Sequence, residues 1–308
     1  MKDFLPCIRI PALALSVSLI VGCASVNPKP FTQYHTAVQE AQSGIDAAMS
    51  INYNWTRSGF AEGFASNTNS RFSQIMIQPG AGYDWAIAAQ PLYLQIKETR
   101  SGLATLNTAF ATYADLLTKL AGGQLVDTAR FDQMAADLNK NSRTAAEALS
   151  LEAPSQGFSL FSTAASKAAH LYIENRRQKH LKAALQDNQE NVEAYSAQCV
   201  SLIHTIRGTI KTHYAERVEP IKMRWAAAGT DKRLKATEMM LALNEQYADA
   251  MHILQELETA YGALPQAHLD LIDAIEKPGF DLDGIQTLYA SGRRLQRLYD
   301  QLEKPEAR

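Results

Sequence analysis

The sequence predicts an all-α protein, an elongated antiparallel bundle of long helices, and three observations lead there. Apolar side chains recur at alternating three- and four-residue spacing over most of the chain, the seam pattern of packed helices. Helix breakers are confined to a few short runs, chiefly Gly122-Gly123, Glu152–Gly157 and Lys277-Pro278-Gly279. With 308 residues, 46% hydrophobic and 20% charged, the chain has material for a sizeable core, which excludes a disordered or collagen-like protein.

Taken in order, Phe31, Tyr34, Val38, Ala41, Ile45, Ala48, Asn52 and Trp55 give the first helix, entered through Pro28 and Pro30. Ile96, Leu103, Leu106, Phe110, Tyr113, Leu117 and Leu120 give the second, stopped by the glycine pair. A third is expected from Asp127 through Ala148, and a fourth from Gly157 to about Gln186. The cluster Asp187–Asn191 is expected to kink or break it, because such side chains compete with the backbone for hydrogen bonds. The stripe resumes at Val192 and runs to His213, with a turn region marked by Pro220 and Gly229. A long helix follows from Leu234 through Tyr261, expected to kink at Pro265, and the last carries Ile285, Leu288, Leu295 and Leu302. Two helical units, 31–157 and 158–308, are expected to pack as one elongated body.

Residues 57–90 depart from the pattern. Gly59, Gly63, Pro79, Gly80 and Gly82 are interleaved with Phe60, Phe64, Phe72, Tyr83 and Trp85, so aromatic density is high where helix signals fail. Period-two alternation at Ile75 and Ile77, then Tyr83, Trp85 and Ile87, reads as a short β-hairpin. This segment is the candidate binding or membrane-contact region.

Residues 1–23 place Lys2 and Arg9 ahead of an apolar run from Ile10 to Val21, too short for a membrane-spanning helix and laid out as a secretory signal. Ile20-Val21-Gly22-Cys23 resembles the lipobox of bacterial lipoproteins. That resemblance, which covers the signal alone, implies cleavage after Gly22, acylation (palmitate-type) of Cys23 and a short tether over 23–30. With Ala24 rather than aspartate after the cysteine, it also implies the periplasmic face of the outer membrane in the cell envelope. Cys7 is then lost with the signal and Cys199 is the one remaining thiol, on the stripe Val192, Tyr195, Cys199, Leu202, Ile206, where a small buried hydrophobe is expected.

A formal charge of −2, from 30 basic and 32 acidic residues, provides no field for nucleic acid. The sequence holds no phosphate-binding glycine loop, nucleophile elbow, HExxH, paired-cysteine or Glu-x-x-His motif, so no catalytic residue, cofactor or metal is assigned and the protein is read as non-enzymatic. His204 with His213, and Asp249 with His252, are two-ligand coincidences, and Asp281–Gly284 reads as a helix cap rather than a calcium loop. Residues 160–240 carry 13 basic and 8 acidic side chains, whereas 241–285 carry 1 and 9, as for neighbouring helices that neutralise one another. Arg176, Arg177, Lys179 and Lys182 form a candidate basic patch for anionic headgroups. The expected function is a membrane-anchored helical scaffold or interaction protein with an envelope protein or a second copy as partner. The alternatives are a carrier of a small apolar ligand or lipid, and a pore-forming-like membrane-active protein.

Overall fold

The computed structural model describes residues 26–66, 68–69, 92–123, 174–277 and 282–303. Among these residues five helices pack against one another: α1 (Lys29–Ser66), α2 (Leu92–Ala121), α3 (Glu174–Ala226), α4 (Thr230–Glu276) and α5 (Asp283–Glu303). Among the described residues there is no strand. The expected helices at 127–148 and 158–173, the strands at 75–77 and 83–87, and the signal and tether through Ser25 lie outside the described residues.

Contacts fix the directions of the helices. Thr118 Oγ1 of α2 donates to the Phe31 carbonyl at 3.0 Å and Gln42 of α1 reaches Thr108 at 3.2 Å, so α2 descends beside a rising α1. Tyr34 packs on His268, and a Cβ at Gly44 would meet Leu257 at 3.1 Å, so α4 also descends beside α1. The connection through 227–229 makes α3 and α4 an antiparallel hairpin, paired at Lys182–Glu276, Gln189–His268, Arg207–Glu258 and Tyr214–Asn244. This pairing of a basic helix with an acidic one accounts for the charge asymmetry read in the sequence.

The core is a column of buried aromatic and aliphatic side chains, with Phe31, Tyr34, Phe110, Tyr113 and Tyr195 among the largest that are fully enclosed. Phe110 stacks on Tyr195 at 4.4 Å between ring centroids with planes 19° apart, a contact worth about 1 kcal/mol beyond the area it buries. Cys199 is buried as expected, and burial pushes its thiol up to about 12.

Several expectations are corrected. The irregular segment does not begin at residue 57: α1 stays helical through Gly59 and Gly63 to Ser66, held where Phe60 packs on Tyr93 at 5.5 Å. The β-hairpin expected at 75–87 lies outside the described residues, so nothing in the structure supports it. The helix does not break at Asp187–Asn191 either. Asn188 is fully buried and donates to the Ala184 carbonyl at 2.6 Å within its own helix, while Asn191 donates to Asn188 at 3.2 Å, so the amides that compete with a helix are absorbed by it. Pro220 sits inside α3 and not in the turn, which comes at Ala227–Gly229. Pro265, by contrast, lies inside a continuous α4: lacking an N–H, it leaves the Tyr261 carbonyl without its intrahelical donor, and Ser196 Oγ of α3 donates to that oxygen at 2.6 Å.

The ends follow local chemistry. Gly123 adopts φ 73°, the left-handed position that closes α2 where the sequence placed its stop. At the start of α5 the cap comes from another helix: the buried Asp270 of α4 accepts the Ile285 N–H at 3.1 Å. Gly284 permits that approach, since a Cβ there would lie 2.6 Å from the Ala267 nitrogen.

Candidate functional site

Three features of the bundle are placed to do something: a cleft, a polar network behind it and a projecting hairpin.

The cleft, about 320 Å³, opens between α1, α2 and α5 and is lined by Ile45, Asp46, Met49, Leu103, Asn107 and Tyr299, among others. At its mouth Arg100 makes a bidentate pair with Asp46, Nε to Oδ1 and Nη2 to Oδ2, both at 2.7 Å. That hydrogen-bonded carboxylate holds the guanidinium above its ordinary pKa. The pair is about 40% exposed, so it orients more than it stabilises.

Asn107 forms the inner end and is 2% exposed. Its Oδ1 accepts hydrogen bonds from the Tyr195 hydroxyl and, at 3.4 Å, from that of Tyr261, while its Nδ2 has no partner among the described residues. Behind it, between Phe110, Tyr195 and Tyr261, lies a void of only about 10 Å³. Burial drives the pKa of both tyrosines far up, so they act as neutral donors.

Deeper still, His268 is fully enclosed, with Nδ1 2.8 Å from Gln189 Oε1 and Nε2 2.9 Å from the Tyr113 hydroxyl. An amide oxygen only accepts, so Nδ1 carries the proton and Nε2 accepts from Tyr113. Desolvation lowers the His268 pKa to about 3 and keeps the ring neutral. These two bonds tie α2, α3 and α4 together around a neutral ring.

The hairpin arises because α3 and α4 outrun the rest of the bundle. From Lys211 to Leu243 only Ile221, Ala236 and Leu243 are buried. Beside the turn, Met223, Trp225 and Leu234 are 71%, 48% and 61% exposed, and the Arg233 guanidinium stacks on the Trp225 ring at 4.7 Å.

The residues singled out in the sequence are dispersed. Phe60 and Phe64 lie 6.0 Å apart on the exposed end of α1, while Phe72, Tyr83, Trp85 and Cys23 lie outside the described residues. Arg176 and Arg177 fall in the first turn of α3, Lys179 is exposed and Lys182 is paired with Glu276, so at least one member of the basic patch is neutralised. His204 binds Glu258 at 2.8 Å and His213 binds Glu216 at 2.9 Å; no group of three metal-binding side chains occurs among the described residues. No described helix is long and apolar enough to cross a membrane.

Sequence reasoning missed Asn107, His268 and the hairpin tip. The signals were a polar residue inside the apolar stripe of α2, a histidine between Leu264 and Leu271, and a tryptophan beside a turn. No family model, curated protein or solved structure matches this chain.

Proposed function

We propose that the protein is a non-enzymatic envelope lipoprotein, anchored through acylated Cys23 on the periplasmic face of the outer membrane. There it acts as an elongated helical scaffold that holds another envelope component. The observation that carries this reading is the projecting α3–α4 hairpin, an arm with Met239 and Leu241 left in solvent along its length as well as the apolar side chains at its tip. An arm of this kind costs solubility, and surface apolar clusters are retained where they contact something. A fully enclosed, neutral His268 that ties three helices together agrees with a structural and binding role. The test is paired: Cys23→Ala releases the protein from the membrane fraction and removes the lipid mass, whereas Leu241→Ala with Met239→Ala, both exposed along α4 of the arm and away from its tip, leaves anchoring intact and abolishes the defined complex seen by native mass spectrometry. Retention of that complex in the double variant would sink the scaffold reading while leaving the anchor standing.

A second reading, a carrier of a small amphipathic ligand, is favoured by one observation: the cleft ends at a buried amide whose N–H₂ has no partner among the described residues. A volume near 320 Å³ suits a small molecule, and the free donor calls for a carbonyl or carboxylate oxygen at the buried end. A bound mass in the native spectrum of the wild type that is lost in Asn107→Leu would favour this alternative.

A further inference from the structure

We infer that the tip of the α3–α4 hairpin is a docking surface for an anionic phospholipid bilayer. Three observations carry it. Residues 220–236 hold five basic side chains, Lys222, Arg224, Lys232, Arg233 and Lys235, against the single acidic Asp231, in a chain whose formal charge is −2. Of the five, Lys222 is paired with Glu219 at 2.8 Å, so the excess positive charge sits at the turn itself. Met223, Trp225 and Leu234 stand exposed among these cations. An amphipathic tryptophan flanked by long basic side chains is the composition that settles at a headgroup boundary, where the ring and aliphatic stems enter the interface and the charges stay with the phosphates.

Shape selects a bilayer over an acidic protein. The tip is the convex end of two helices, each only about 10–12 Å wide with its side chains, and it lacks the area of a usual protein interface, roughly 800 Å² per partner. A lipid surface needs no complementary groove. The tip also lies far from the N-terminal end of the bundle: Tyr34 packs on His268, and from His268 to Thr230 along α4 is roughly 57 Å at 1.5 Å per residue. It is therefore a separate contact, and the inference stands on the tip alone, whatever anchors Cys23.

The experiment sediments the full chain with vesicles of phosphatidylcholine alone and of phosphatidylcholine with phosphatidylglycerol, at lipid concentrations where the neutral vesicles take up less than half of it. The apolar N-terminal segment contributes to both, so the tip is read as the gain on anionic vesicles. That gain is expected to be about 100-fold at low salt, from roughly fivefold for each of the three net positive charges that remain once Lys222 is set against Glu219 and Asp231 is subtracted from the other four, and to fall as salt is raised. Arg224→Glu with Lys232→Glu and Arg233→Glu, all exposed and checked by circular dichroism, is expected to abolish it. Trp225→Ala is expected to weaken binding about equally at low and high salt. The corresponding reversal at Arg176, Arg177 and Lys179 is expected to leave the gain intact. No gain for the wild type, a gain surviving the tip reversal, one lost on reversal at 176–179, or one requiring added envelope protein would each overturn the inference, the last in favour of an acidic protein partner.

Discussion

Acidification should destabilise this protein well above the range in which carboxylates titrate, and His268 is the reason. In the unfolded chain an imidazole takes up a proton near pH 6.5; in the fold, enclosure without a charged partner lowers that value to about 3. Between the two values the unfolded chain binds a proton that the folded chain does not, so stability rises with pH across the window and is lost as pH falls from about 6.5 toward about 3. The slope is about 1.4 kcal/mol per pH unit, which puts the loss between about pH 7 and about pH 5 near 2 kcal/mol. His35 is also shifted downward, chiefly by partial burial, and adds in the same direction. The informative variant is His268→Gln, whose amide can still accept from Tyr113 and donate to Gln189 but does not titrate. Urea unfolding followed by far-ultraviolet circular dichroism at the two pH values should show the wild-type midpoint falling and that of the variant falling distinctly less. Equal losses in the two proteins would mean that His268 titrates normally in the fold, and the reasoning would be refuted.

Other perturbations have equally definite outcomes. Gly284→Ala places a methyl group 2.6 Å from the Ala267 nitrogen, against backbone that has no rotamer to change, and should cost about 1–3 kcal/mol by denaturant titration. The same change at Gly44, which faces the Leu295 side chain at 3.0 Å, should cost less because that side chain can turn aside. Cys199, buried and with its thiol raised to about 12, should stay unlabelled by maleimide in native conditions and react once urea unfolds the chain, as read by mass spectrometry of its peptide. Replacing the pair Asp46 and Arg100 by alanine together should change stability by no more than about 1 kcal/mol, in keeping with its exposure.

The sequence carried the helices better than it carried what joins them. The stripes of α2, α4 and α5 were legible because spacing of apolar side chains is local, and so was the end of α2 at Gly122-Gly123. Errors fell where a local breaking signal was outweighed. Asp187–Asn191 carries the local signal of a kink or break, yet two of its amides bond inside the helix, and Pro220 carries that of a turn, yet it lies within α3. The pairings of the polar interior could not be read, even where its members stand on apolar stripes: Tyr113 meets His268 across 155 positions and Asn107 meets Tyr195 across 88, with nothing in either neighbourhood to announce the other. At the tip, the charges were counted into a larger basic region and the exposed tryptophan passed unnoticed, since spacing says which face a residue occupies but not whether a neighbouring helix covers it.

The hairpin also implies a gradient along its own length. Near His268 and Tyr261, α4 is held by α1 and α3 together, whereas toward the turn beyond Leu243 the buried residues are Ala236 of α4 and Ile221 of α3 alone. Backbone amides at the arm's end should therefore exchange with solvent through local openings, while those around Tyr261 wait for the whole bundle to come apart. A pull or a twist applied at the turn would unzip the outer turns first, leaving the histidine and the tyrosines beneath undisturbed.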